Sequence, residues 1–350
     1  KESMSSLVKD RVLKRILMVG TGGTIACKSS EDGLKPLLTS EELLRYVPDT
    51  KEFCKVDSLQ VINIDSTNMQ PRYWLMIAET IEKYYEDYDG FVVCHGTDTM
   101  AYTAAALSYL VQNSRKPIVV TGAQKPIDLE ITDARTNLSD SLRFASCDKA
   151  YGVTIVFDGK VIAGTRGKKE KTKSYNAFSS INFPYIAAIL DGHIIFYLDD
   201  KEQMKEPVRF YHSLNPKVGL LKLIPAMDSG VLDYMAEHCD AVILESFGVG
   251  GIPTYDSGDF HKSIEDLVRT GKTVVMTTQV TNEGSNMSVY EVGKSIKKEF
   301  DLLEAYDMTL EAVVTKLMWI LGQTSDPEEI REMFYKTINR DMLFTCAVHD

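Results

Sequence analysis

The chain has 350 residues, 44% of them hydrophobic and 25% charged, the balance of an ordinary globular protein with length enough for two domains. Its net charge of −11 argues against a general nucleic-acid binder, which needs a basic footprint, and no apolar run approaches the roughly 18 residues of a membrane-spanning helix. Six scattered cysteines (Cys27, Cys54, Cys94, Cys147, Cys239 and Cys346) form no C-x-x-C pair, which fits free thiols in a reducing compartment better than a disulfide framework or a metal site.

The polar stretch from Lys1 to Arg15 does not read as a signal peptide, so the expected location is cytoplasmic. Residues 16–19 are apolar and predict a buried strand. Gly20-Thr21-Gly22-Gly23-Thr24-Ile25-Ala26 follows, a turn rich in glycine and threonine. Two readings compete for it: a phosphate cradle or a threonine nucleophile. A dinucleotide fingerprint starting at Gly20 needs glycine where Ile25 stands, and no G-K-[ST] is present, so the nucleotide reading fails.

Further along, Thr39 and Glu42 have the spacing of a capping box opening a short helix. Strands are predicted at 59–64, 91–94, 118–121 and 153–157. Helices are predicted at 71–85, where Trp74, Ile77, Ile81 and Tyr84 share a face, and at 99–111 and 133–145. Charge concentrates at 199–206, and 199–216 reads as a linker. A second alternation follows, with strands at 218–224, 241–244 and 273–277 and helices at 231–238 and 260–269. Two helices, 310–321 and 327–337, close the chain. The fold class is therefore α/β in two domains. A larger N-terminal one, 1–198, holds a flavodoxin- or Rossmann-like, mostly parallel sheet with helices on both faces. A smaller parallel-sheet domain occupies 217–350.

In a parallel sheet, the loops after successive strands share one edge. Here they hold Thr21 to Thr24, then Asp65, Ser66, Thr67 and Asn68. His95 to Thr99 come next, then Gly122, Ala123, Gln124 and Lys125, and last a basic run with Arg166, Lys168, Lys169 and Lys171. Hydroxyls, carboxylates and a lysine on one edge suit a zwitterionic substrate and nucleophilic hydrolysis. A threonine hydroxyl needs a base; Lys169 taking the proton through Thr97, with Asp98 orienting the set, would provide one. Plainer readings stand beside this one. Thr97 and Thr99 suit a helix N-cap, His95 a structural role, and the basic run a solvated loop.

Two segments match a known family. Thr21-Gly22-Gly23-Thr24-Ile25-Ala26 and Gly90-Phe91-Val92-Val93-Cys94-His95-Gly96-Thr97-Asp98-Thr99-Met100 resemble the two signatures of bacterial-type L-asparaginases. Asp65-Ser66-Thr67-Asn68-Met69 resembles the family's substrate-binding turn, and Ser246-Phe247-Gly248-Val249-Gly250 its C-domain motif. Met100-Ala101-Tyr102-Thr103-Ala104 is similar to the cytoplasmic type I branch.

The resemblance implies hydrolysis of L-asparagine, with L-glutamine a second candidate, without metal or organic cofactor, in a homodimer or homotetramer. It implies Thr24 as nucleophile, Thr97 coupled to Lys169, with Lys168 and Lys171 as alternatives, and Ser66 and Asp98 on the substrate's α-carboxylate and α-amino group. Asp65, Thr67 and Ala123 complete the implied pocket.

Three departures accompany the resemblance. The loop from Cys27 to Leu38 lacks the family's tyrosine, with Leu34 about where it would be. Gly251 replaces an asparagine, and Val280 follows Thr278-Gln279 in place of a cysteine found in members with an effector site. Two other readings remain: the asparaginase-like component of glutamyl-tRNA(Gln) amidotransferase, which carries an extra N-terminal domain, and an inactive amino-acid-binding module.

Overall fold

The structure, a computed structural model, describes residues 12–254, 258–289 and 291–343. Cys346 lies outside them.

The first strand, β1 (Lys14–Gly22), is buried from Ile16 to its end, as its apolar run predicts. A single 3-10 turn, Thr24–Ala26, leads into a hairpin of β2 (Cys27–Ser30) and β3 (Gly33–Pro36). The capping box forms as expected: the Thr39 hydroxyl accepts from the backbone of Glu42 and opens α1 (Ser40–Leu44). Then come β4 (Cys54–Ile64), α2 (Pro71–Tyr84), β5 (Gly90–Cys94), α3 (Met100–Leu110) and the two-residue β6 (Val111–Gln112). They are followed by β7 (Pro117–Thr121), α4 (Ala134–Ala145) and β8 (Gly152–Phe157).

Five of these strands are parallel and lie side by side in the order β4-β1-β5-β7-β8. This is the 2-1-3-4-5 order of a flavodoxin-like sheet. Chain direction across the sheet reverses between β1 and β5, and the crevice at that switch point is where such folds place ligands. Side chains alternate across β1. Ile16 and Met18 pack with Leu138 and Leu142 of α4, while Leu17 and Val19 pack with Ile77 of α2 and Ala104 of α3. Both faces are thus covered, which is why the inner strands β1, β5, β7 and β8 are buried and largely apolar, whereas the edge strand β4 mixes polar and apolar residues.

Beyond β8 the sheet stops being parallel. Asp158 and Gly159, both at positive φ (49° and 71°), form a two-residue turn into β9 (Lys160–Ala163), which runs antiparallel to β8. β10 (Gly167–Lys169) and β11 (Phe178–Ser180) form a separate hairpin. β12 (Ala187–Leu190) and β13 (His193–Phe196), joined by Asp191-Gly192, complete the eight-stranded sheet. The basic run is therefore not the loop after the fifth parallel strand. Nor is Arg166 solvated: it is fully buried, donating to the backbone carbonyls of Arg340 and Asp307 and pairing with the Asp307 carboxylate at 2.8 Å.

Segment 199–216 is stitched to the first sheet's domain. β14 (Arg209–Phe210) pairs with β6, and Arg340 and Tyr151 both contact Asp200. The second sheet is four parallel strands: β15 (Val218–Lys222), β16 (Ala241–Ser246), β17 (Thr273–Thr278) and β18 (Leu303–Glu304), with helices α5 (Gly230–His238), α6 (Asp259–Arg269) and α7 (Glu291–Phe300) between them. α8 (Leu310–Gln323) packs on α3, with Trp319 stacked on Tyr109 at 5.7 Å, and α9 (Pro327–Tyr335) packs behind it. Among the described residues no helix is long and apolar enough to cross a membrane.

Candidate active site

The site grows from three glycines at the switch point. Gly22 and Gly23 sit at φ 100° and 86°, a region closed to most L residues. A Cβ on Gly23 would lie 2.4 Å from the Gly96 nitrogen, and one on Gly96 would lie 2.6 Å from the Ser66 side chain. The loops after β1 and β5 therefore meet backbone to backbone, with the Ser66 side chain against the same glycine, and Thr24, Ser66 and Thr97 issue from one point. Thr21 ties the first loop to the third by donating to the Cys94 carbonyl at 2.6 Å.

Beyond Gly23, Ile25 and Ala26 are buried as an anchor, while Thr24 is half-buried and its hydroxyl bonds to no described residue. Leu34, on the hairpin past it, is 51% exposed. Cys27 is no competing nucleophile. Its thiol is buried against the Gly23 carbonyl, and burial, with a smaller contribution from Asp65, pushes it up to about 11.

Asp65 caps the short turn Ser66–Asn68, accepting from the Thr67 backbone at 2.9 Å and the Thr67 hydroxyl at 3.1 Å. Ser66 is buried, whereas Asp65 and Thr67 are exposed. Thr99 does not use its side chain to cap α3. Its hydroxyl donates to the Ser66 carbonyl at 2.8 Å and binds the second and third loops together. Neither threonine caps the helix with its side chain: the Thr99 hydroxyl is turned to Ser66 and the Thr97 hydroxyl to Lys169.

Lys169 arrives from β10, one strand past the sheet's reversal. Its ammonium donates to Thr97 Oγ1 at 2.8 Å and to Asp98 Oδ1 at 2.7 Å. Thr97 is buried; Asp98 is 57% exposed and offers a second oxygen outward. Lys168 faces the other way, as alternation along a strand requires. It lines a separate cavity of about 40 Å³ with Glu245 and Glu311. Burial holds the Glu311 carboxyl above its ordinary range, and its Oε2 has no hydrogen-bond partner. Lys171 is exposed and contributes only its carbonyl, to Gln124.

Ala123 is wholly buried, so it has only backbone to present. Its neighbour Gln124 also stands in the site, a residue that the sequence reading does not single out. Its amide oxygen is 3.4 Å from Thr97 Oγ1, and its amide nitrogen donates to the carbonyls of Lys171 and Ser174. The sequence places it in the loop just past β7, on the shared edge, without marking it out from Lys125 beside it. Among the described residues no group of three or more His, Cys, Asp or Glu side chains is placed to hold a metal.

The arrangement presents a threonine nucleophile candidate, a second threonine joined to a lysine, and hydroxyl and carboxylate groups on one crevice. Comparison with known proteins matches both halves of the chain, in order. The family model for the N-terminal part of asparaginases matches residues 15–202, and that for the glutaminase/asparaginase C-terminal domain matches 217–334. An L-asparaginase of Thermococcus kodakarensis is 38% identical over 326 residues, covering 93% of this chain and 98% of that one. One component of the glutamyl-tRNA(Gln) amidotransferase of Pyrococcus abyssi is 36% identical over 334 residues, covering 92% of this chain and 75% of that one. The solved thermostable L-asparaginase of T. kodakarensis superposes with a TM-score of 0.88 at 35% identity, covering 95% of this chain and 100% of that one. Matched across both sheets and along nearly its whole length, the chain belongs to the asparaginase family.

Proposed function

We propose that the protein hydrolyses L-asparagine to L-aspartate and ammonia. The observation that carries this is the Thr97–Lys169–Asp98 cluster standing at the switch point beside Thr24. The Thr24 oxygen attacks the side-chain amide carbon. A C–O bond forms, the C–N bond breaks, and the hydroxyl proton leaves on nitrogen as ammonia. Water then cleaves the ester, releasing L-aspartate and restoring Thr24. The proton relay runs through Thr97 and Lys169, with Asp98 orienting the lysine. Ser66 receives the substrate's α-carboxylate and the outer oxygen of Asp98 its ammonium. Asp65 and Thr67 flank that pocket, and the backbone at Ala123 closes it. L-Glutamine is the secondary substrate, since one methylene is worth only about 1–3 kcal/mol of discrimination.

The same reading takes the working form as a cytoplasmic homodimer or homotetramer. Support comes from the free thiols of Cys27, Cys54, Cys94, Cys147 and Cys239 and from exposed Phe247 and Val280 at the carboxyl edge of the second sheet.

The test is ammonia release from L-asparagine and L-glutamine by the wild type and Thr97→Val. Turnover that favours asparagine and falls at least about 100-fold in the variant supports the reading. A wild type inert on both amides contradicts it. The likeness to the amidotransferase component favours a second reading, in which the chain supplies ammonia to a tRNA-linked amidation. Glutamine-dependent turnover that appears only with a partner protein and charged tRNA would select it.

A further inference from the structure

His95 is wholly buried, and the reaction above makes no use of it. Its surroundings nevertheless constrain the protons on both ring nitrogens. The indole Nε1–H of Trp74 can only donate, and it lies 2.9 Å from Thr103 Oγ1. Thr103 Oγ1 is 2.7 Å from His95 Nε2. His95 Nδ1 is 2.6 Å from the Gly96 carbonyl, which can only accept. For a neutral ring, a donor at one end and an acceptor at the other leave one consistent pattern. Trp74 donates to Thr103, Thr103 donates to Nε2, and Nδ1–H donates to Gly96. Burial supplies the neutral ring, pushing the imidazole down to about 4.

The receiving carbonyl belongs to the glycine at which the loops of Thr24, Ser66 and Thr97 touch. Two more contacts hold the same stretch. The His95 backbone donates to the Thr121 carbonyl at 2.8 Å, and Gly122 passes so close that a Cβ there would lie 2.1 Å from the His95 carbonyl oxygen. The sheet thus fixes the His95 backbone, and the ring fixes the peptide after it. Rotation of that peptide would turn Thr97 away from Lys169 and shift the contact with Gly23.

We infer that His95 is a positioning residue: the chain Trp74–Thr103–His95 holds it as the neutral Nδ1–H tautomer, and that N–H sets the Gly96 peptide from which the reactive threonines take their spacing. This rests on the reaction proposed above, and its test separates the two. Nitrogen-15 NMR of the free wild-type protein at pH 7 should show His95 with a protonated Nδ1 and a bare Nε2. That measurement needs no substrate, so a wild type without asparagine turnover sinks the reaction while the tautomer is still read.

Thr103→Val leaves every pocket residue in place and removes the hydroxyl that fixes the ring. Measured well below its melting temperature, it should lower kcat about tenfold with KM within about twofold, because one positioning hydrogen bond is lost and not a binding contact. Thr103→Ser restores the hydroxyl and should recover kcat. A purely packing role would lower the melting temperature and leave kcat unchanged. An Nε2–H tautomer or an imidazolium in the wild type, or a folded Thr103→Val with wild-type kcat, overturns the inference. Should Thr103→Val not fold, the tautomer and the Thr103→Ser kinetics decide it.

Discussion

At the scale of single residues, the site depends on which of several neighbouring side chains points inward. Lys168 and Lys169 are adjacent in sequence and opposite in direction, one lining the cavity with Glu311 and the other bonded to Thr97. Lys169→Met should reduce turnover by at least about 100-fold, since the hydroxyl it meets loses its proton partner. Lys168→Met should leave turnover within a few-fold of wild type. Steady-state ammonia release from both variants checks this, and equal losses would mean that the two lysines act as one unit. Charge and spacing in the basic run leave the choice between them open. Strand alternation resolves the geometry, but the strand itself is three residues long and its pattern, glycine then two lysines, carries no period.

At the scale of elements, the parallel strands other than β18 are legible in the sequence as mostly apolar runs between helical patterns; β18, two residues long, carries no period, and α7 before it is likewise missed. α1 is legible because a capping box is a local signal. The antiparallel edge escapes the sequence reading, although both of its turns are Asp-Gly pairs at positive φ, the sequence mark of a tight hairpin. Arg166 reads as solvated because composition does not reveal a buried tertiary partner. Its guanidinium, three residues before Lys169, reaches across to Asp307, between β18 and α8. The second sheet's domain therefore helps to hold the strand that delivers the lysine. Asp307→Ala strips a fully buried guanidinium of its counter-charge and should cost about 3–5 kcal/mol of stability. Urea unfolding monitored beside activity checks it, with the prediction that turnover falls before the global transition.

At the scale of the whole molecule, buried polar chains respond to acid. His95 has a folded-state pKa of about 4, below its ordinary 6.5, so unfolding takes up a proton between those values. Its contribution to stability is complete above about pH 6.5, declines as the pH falls towards 4 and levels off below that. The interval corresponds to about 3 kcal/mol. Urea midpoints should drop across that window in the wild type, and the part of the slope due to this ring should be missing in His95→Gln.

The central claim is that this crevice performs amide hydrolysis through Thr24. Glycines at 22, 23 and 96 close the backbone contacts around it, and the family to which the chain belongs gives the reaction its class. The most direct measurement is ammonia release from L-asparagine by the wild type beside Thr24→Ala, with both shown to be folded. Release by the wild type and its loss in the variant is the predicted result. Undiminished release by Thr24→Ala would contradict the account.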